Sequence, residues 1–181
     1  MKSSRFKTAI QLAKNIRTTG ALYQTSKKVE KEIGSKFSEE PGKVFVEFGL
    51  GHGNITKATL DRISPDSKLY SFEVNEDFCD HVSKVLTDER LIIINDGAQN
   101  VSKHIKQPVD GIASSIPITL FSKELQDSVF QEAYSILASG AYFSQILYSN
   151  RHSLFEPYFD KVEIKRLINL PLEYIHHCQK V

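Results

Sequence analysis

Cysteine is scarce in this chain. Its 181 residues hold two, Cys79 and Cys178, and no Cys-x-x-Cys pair. So wide a spacing offers neither a disulfide framework nor a zinc knuckle, and both are read as free thiols in a reducing cytoplasm. Charge of one sign is lacking as well. Lys and Arg number 23, Asp and Glu 22, and the formal net charge is +1, so no whole-protein field points to nucleic acid. No apolar run approaches the roughly eighteen residues that a membrane span needs. The N-terminus carries Lys2, Arg5 and Lys7 but no apolar h-region, so it does not read as a secretory signal. Internal repeats, low-complexity segments and a G-K-[ST] phosphate loop are all missing. What remains is ordinary for a soluble domain: 40% hydrophobic and 25% charged residues, in a length that suits one domain with a sizeable core.

Within that frame, strand and helix signals alternate. Residues 3–17 read as a helix. Thr25 or Ser26 can cap a second one running to about Phe37, and Glu39–Gly42 form a turn. Strands are predicted at Lys43–Phe48, Leu69–Glu73, Leu91–Asn95, Val109–Ser114 and Ala141–Tyr148. Helices fall between them at Asn54–Ile63, Glu76–Leu86, about 98–105 and Lys123–Leu137. Two further strands, Val162–Leu167 and Glu173–Gln179, flank a turn at Asn169-Leu170-Pro171. Such alternation predicts an α/β fold with a mostly parallel, seven-stranded sheet flanked by helices.

In a sheet of this kind ligands sit outside the carboxyl ends of the strands. The first such loop is Gly49-Leu50-Gly51-His52-Gly53-Asn54. A dinucleotide fingerprint would read G-x-G-x-x-G, but here Asn54 occupies the place of the third glycine. Glu47 stands two positions before the first glycine. A carboxylate there repels a pyrophosphate and suits a ligand with a cationic end.

Glu47-x-Gly49-x-Gly51-x-Gly53 resembles motif I of the class I, Rossmann-like methyltransferases that use S-adenosylmethionine, whose donor carries a sulfonium and no phosphate. The resemblance implies a site built from Glu47, Gly49, Gly51, Gly53 and Asn54. Glu73, followed by Val74, would accept the ribose hydroxyls. Asp96 would accept the adenine amino group, with the backbone of Gly97 and Ala98 meeting the ring, and Ser114 would lie at the end of the fourth strand. The chain is similar to rRNA adenine dimethylases across these motifs. Ser114-Ser115-Ile116-Pro117-Ile118, however, lacks the amide and the aromatic that those enzymes set against a flipped adenine.

Bacterial phospholipid N-methyltransferases, which methylate phosphatidylethanolamine, are a closer resemblance over nearly the whole chain. It rests on a basic amphipathic N-terminal helix, on Gly20-Ala21 ahead of Ser26, on Ser114-Ser115-Ile116-Pro117, on Gln145-Ile146-Leu147-Tyr148 and on Ile168-Asn169-Leu170-Pro171-Leu172. The fourth-motif glycine is Ser115 here, and the last motif ends in Leu172 and Glu173. By this resemblance residues 1–38 form a cap facing membrane and substrate, and 39–181 the catalytic domain, in one structural unit.

The N-terminal helix also has a reading of its own. Phe6, Ala9, Ile10, Leu12, Ala13 and Ile16 fall in one apolar arc, and residues 1–20 carry five cations and no acid. Lys2, Arg5, Phe6, Lys7, Ile10, Lys14 and Arg17 are therefore expected to meet an anionic bilayer. The expected partners are that membrane surface and a phospholipid substrate, at the inner face of the membrane, with no metal and no nucleic acid. Tyr23 and Tyr148 are the candidate catalytic residues, holding a methylated ammonium by cation–π attraction. His52 is a minor candidate for relaying a proton. His176-His177-Cys178 makes no metal set, because adjacent strand residues point to opposite faces. The alternatives are an RNA or small-molecule N-methyltransferase, and a cofactor-binding adaptor without catalysis.

Overall fold

A computed structural model describes residues 26–181. The first predicted helix, Tyr23 and every residue assigned to the membrane lie outside the described residues. In chain order the elements are α1 (Lys27–Ile33), β1 (Val44–Phe48), α2 (Asn54–Leu60), β2 (Lys68–Phe72), α3 (Glu76–Val85), β3 (Leu91–Ile94), α4 (Val101–His104), β4 (Val109–Ser114), α5 (Lys123–Ile136), β5 (Leu137–Leu147), α6 (His152–Phe155), β6 (Lys161–Leu167) and β7 (Glu173–Gln179). The strands form one sheet in the order β3-β2-β1-β4-β5-β7-β6. The β3, β2, β1, β4 and β5 strands run parallel, and β7 enters antiparallel between β5 and β6.

Local chemistry sets most boundaries. Ser26, Asn75 and Ser122 cap α1, α3 and α5 by accepting from backbone N–H groups of the first turn, which satisfies donors that a helix leaves orphaned. The β1 strand is buried along its whole length, as a strand with neighbours on both sides and helices on both faces must be. One departure from the expected pattern is at β5. It begins at Leu137, directly where α5 stops, and not at Ala141. Gly140 sits inside it at φ 83°, beside a register shift against β4. The small residues Ala138-Ser139-Gly140 hide this extension from a period-2 reading.

The sheet separates two apolar layers. On one face Phe48, Phe72 and Phe143 meet Phe130 of α5 and Phe155 and Phe159 beyond β5. On the other, α1 and α2 cover Phe45, Leu69 and Ile175. Phe37 lies on Phe45 with ring centroids 4.7 Å apart. Gly111 of β4 makes room for it, since a Cβ there would stand 2.5 Å from the Phe37 ring. The outermost strand, β6, carries Lys161, Glu163, Lys165 and Arg166 exposed, charges that discourage edge-to-edge pairing.

Candidate active site

Two rows of residues at the carboxyl end of the sheet hold most of its buried polar side chains. In register across one row stand Ser71, Glu47, Ala113, Ser144, His177 and Glu163; across the next stand Phe72, Phe48, Ser114, Gln145 and His176. Adjacent rows face opposite sides of the sheet.

Glu47 is fully buried. Thr56 and Ser71 each donate to its Oε2 at 2.7 Å, and Oε1 has no hydrogen-bond partner among the described residues. Burial pushes its carboxyl up to about 7 against the pull of those two hydroxyls, and nearby Glu73 adds to the rise. A buried carboxylate oxygen left without a donor is costly unless something else supplies one. It marks a place for a positively charged or donating ligand group.

The loop after β1 holds Gly49, Gly51 and Gly53 at φ 89°, 53° and 83°, a left-handed region that side chains disfavour. Gly49 also lets the loop after β4 approach. A Cβ on it would lie 3.0 Å from Ser115 Oγ and 3.1 Å from Ile116. Ser115 Oγ donates to the Gly49 carbonyl at 2.9 Å. Glu73, at the end of β2, accepts from the Gly51 and Asn75 N–H groups at 3.2 and 2.9 Å, which joins the loops after β1 and β2.

No protein-family model matches the chain. The ornithine lipid N-methyltransferase of Singulisphaera acidiphila is 28% identical over 153 residues, 78% of each chain. An rRNA methylase of Streptococcus thermophilus shares the fold with a TM-score of 0.66 at 17% identity, over 88% of this chain and 99% of that one. A SAM-dependent O-methyltransferase of Thermotoga maritima gives 0.66 at 12% identity, over 92% and 70%. The chain has the fold of class I, S-adenosylmethionine-dependent methyltransferases, and these relatives support that enzyme class.

In this methyltransferase Glu47, Gly49, Gly51, Gly53 and Glu73 converge at one end of the sheet. The residues fit a donor with a cationic centre and an amino group: a glycine loop that exposes backbone, one unpartnered buried carboxylate oxygen and a second carboxylate beside the loop. Asn54 opens α2, and Val74 follows Glu73 at intermediate exposure.

The other expected residues are placed differently. Asp96 is engaged by its own neighbours: Gly97 N–H and Asn100 on Oδ1 at 2.7 and 2.8 Å, and His104 on Oδ2 at 2.8 Å. Burial, the largest influence, raises its pKa, but these bonds outweigh it and the carboxyl lies below its usual range. The Gly97 N–H is thereby taken up, and Ala98 packs into the core. Ser114 is fully buried and donates to Gln145 Oε1 at 2.6 Å, beneath the loop after β4. His52 is exposed and packs edge-on against Phe78. Tyr148 follows β5 at the rim, 51% exposed. His176 and His177 lie on opposite faces.

Of the groups that hold the site in shape, sequence reasoning named Gln145 only as part of a motif and passed over Thr56 and Ser71. Gln145 donates to the Ile116 carbonyl at 3.0 Å while accepting from Ser114, so it fixes the loop after β4. Thr56 and Ser71 set the Glu47 carboxylate. Hydroxyls on α2 and β2 and an amide on β5, at otherwise apolar core positions, were the available signal.

Proposed function

We propose that the methyltransferase transfers methyl groups to the headgroup amine of a membrane phospholipid, phosphatidylethanolamine and its partly methylated forms. The observation that carries this reading is the lipid N-methyltransferase relative, which matches 78% of both chains. The loop Ser115-Ile116-Pro117 supports it, since it offers neither amide nor aromatic to a nucleobase.

We assign Glu47, Glu73 and the loop Gly49–Asn54 to the donor, with Val74, Asp96, Gly97, Ala98 and Ser114 around it. When bound, S-adenosylmethionine supplies an electrophilic methyl group on a sulfonium. The protein's part is placement. Gln145 and Ser115 hold the loop after β4 against the loop after β1, which fixes the wall against which an amine nucleophile is aligned. The amine must lose its proton before it attacks. Tyr148, on the rim, and Tyr23 are assigned to the ammonium by cation–π attraction. Lys2, Arg5, Phe6, Lys7, Ile10, Lys14 and Arg17 are assigned to an anionic membrane surface.

The test is transfer of labelled methyl from the donor to phosphatidylethanolamine vesicles, RNA and small amines side by side, with chromatographic separation of the products. Label on the lipid headgroup is expected. Label on RNA or small amines and none on lipid would overturn the reading.

A further inference from the structure

Six large hydrophobic side chains are markedly exposed among the described residues: Val85, Leu120, Tyr148, Ile168, Leu170 and Val181. Strand register puts four of them on one rim. The β5 strand ends at Leu147, opposite Tyr174 near the start of β7, and Leu167 at the end of β6 pairs with Glu173. The β6–β7 turn therefore stands at the carboxyl end of the sheet, beside Tyr148. Leu120 lies in the connection that leaves the same end of β4. The turn is the most apolar point of this rim, with Ile168 76% and Leu170 96% exposed.

One cation touches the turn and two more are exposed on adjoining segments. Lys28 donates from Nζ to the Ile168 carbonyl at 2.9 Å. Arg166 is exposed one residue before the end of β6, and Arg151, also exposed, donates its backbone N–H to His176 Nε2 at 3.1 Å. The neighbouring carboxylate, Glu173, is buried and accepts from Ser26 and Asn169. An apolar tip with exposed cations on the neighbouring segments matches the interfacial region of an anionic bilayer, where apolar groups meet acyl chains and basic groups meet headgroups.

We propose that the β6–β7 turn is a membrane-inserting tip, with Ile168 and Leu170 entering the interface of an anionic lipid surface and Lys28, Arg151 and Arg166 resting on its headgroups. This rests on the lipid-amine reading and adds an element that the N-terminal helix does not supply. The turn stands two to three strands from β4, about 10–14 Å along the sheet. A lipid whose acyl chains stay in the bilayer at the tip has its headgroup directed toward the loops after β1 and β4. A second copy of this chain is a poor occupant, because a two-residue tip cannot approach the roughly 800 Å² per partner of a stable dimer.

The chain contains no tryptophan, so Leu170→Trp makes a single, clean fluorescent reporter. Its emission is expected to shift to the blue on vesicles of phosphatidylcholine with one part in three phosphatidylglycerol, and much less on phosphatidylcholine alone. The double variant Ile168→Ser, Leu170→Ser is expected to sediment with the anionic vesicles about tenfold less than wild type, with unchanged melting temperature and donor affinity. Val181→Ser, at the opposite end of β7, is the control and should sediment normally. Emission that stays unshifted, or a double variant that sediments like wild type, overturns the proposal. A lowered melting temperature in the double variant also overturns it, since the turn would then be covered by the chain's own residues. A blue shift in a protein that methylates no lipid would sink the lipid-amine reading and leave the tip in place.

Discussion

Ser115 donates its hydroxyl to the carbonyl of Gly49 at 2.9 Å, across a gap that only glycine leaves open. The contact binds the loop after β1 to the loop after β4. We predict that Gly49→Ala costs about 1–3 kcal/mol in urea denaturation, because the new Cβ meets Ser115 and Ile116 at a left-handed φ. Ser115→Ala removes one partly buried hydrogen bond and should cost about 1 kcal/mol. Equal and negligible losses in the two variants would mean that the loops do not depend on each other.

By the proposed assignment, Glu47 is expected to give donor binding a pH dependence. Its carboxyl is raised to about 7 from an ordinary 4.5 by burial, so the fold favours the neutral form. Its contribution to stability is complete below about 4.5 and is lost as pH rises through about 7. A cationic donor favours the ionised form, so its binding should release a proton. We predict that affinity for S-adenosylmethionine rises about tenfold between pH 5.5 and 7 and then levels off, and that Glu47→Gln flattens the profile. Calorimetry in two buffers of different ionisation enthalpy measures the proton directly; identical apparent enthalpies would contradict the assignment.

Glu73→Ala should weaken the donor and its demethylated product alike, by about 1.5–3 kcal/mol, through loss of charge-assisted hydrogen bonds. Titration calorimetry decides it. An unchanged affinity would remove the ribose assignment and leave this carboxylate a structural role, joining the loops after β1 and β2.

His176 works in the other direction. Burial holds its imidazole down to about 4 against an ordinary 6.5. The neutral ring is favoured in the fold, so its contribution to stability is present above about 6.5 and lost as pH falls through about 4. We predict that replacing it with Gln, which can still accept from the Arg151 N–H, makes stability less sensitive to acid between pH 6.5 and 4. Chemical denaturation at stepped pH is the measurement. Parallel curves for variant and wild type would exclude His176 as the group that titrates.

The sheet was legible in the sequence because its strands are short apolar runs bounded by turn residues, and because the helices between them carry caps such as Asn75 and Ser122. The glycine loop was legible because three glycines at alternate positions after an apolar strand serve little purpose besides a turn that bares its backbone to a ligand. The braces were not. Gln145, Thr56 and Ser71 act through contacts 9 to 31 residues away in the chain, and single-residue chemistry carries no record of such partners. Asp96 shows the same limit. Its position at a strand end suggested a ligand contact, and nothing in the sequence signalled that His104, Asn100 and Gly97, all downstream, also donate to it.

Insertion of β7 between β5 and β6 sets the order in which the protein can be assembled. The β6 strand leaves the ribosome first, yet among the described residues every one of its backbone pairings in the sheet is to β7. Until β7 emerges, β6 stays unpaired and the far side of β5, with Phe143, Ile146 and Leu147, is an open and apolar edge. The newly made chain is therefore most exposed to aggregation in the interval between the emergence of β6 and that of β7, after most of the parallel sheet can already have formed.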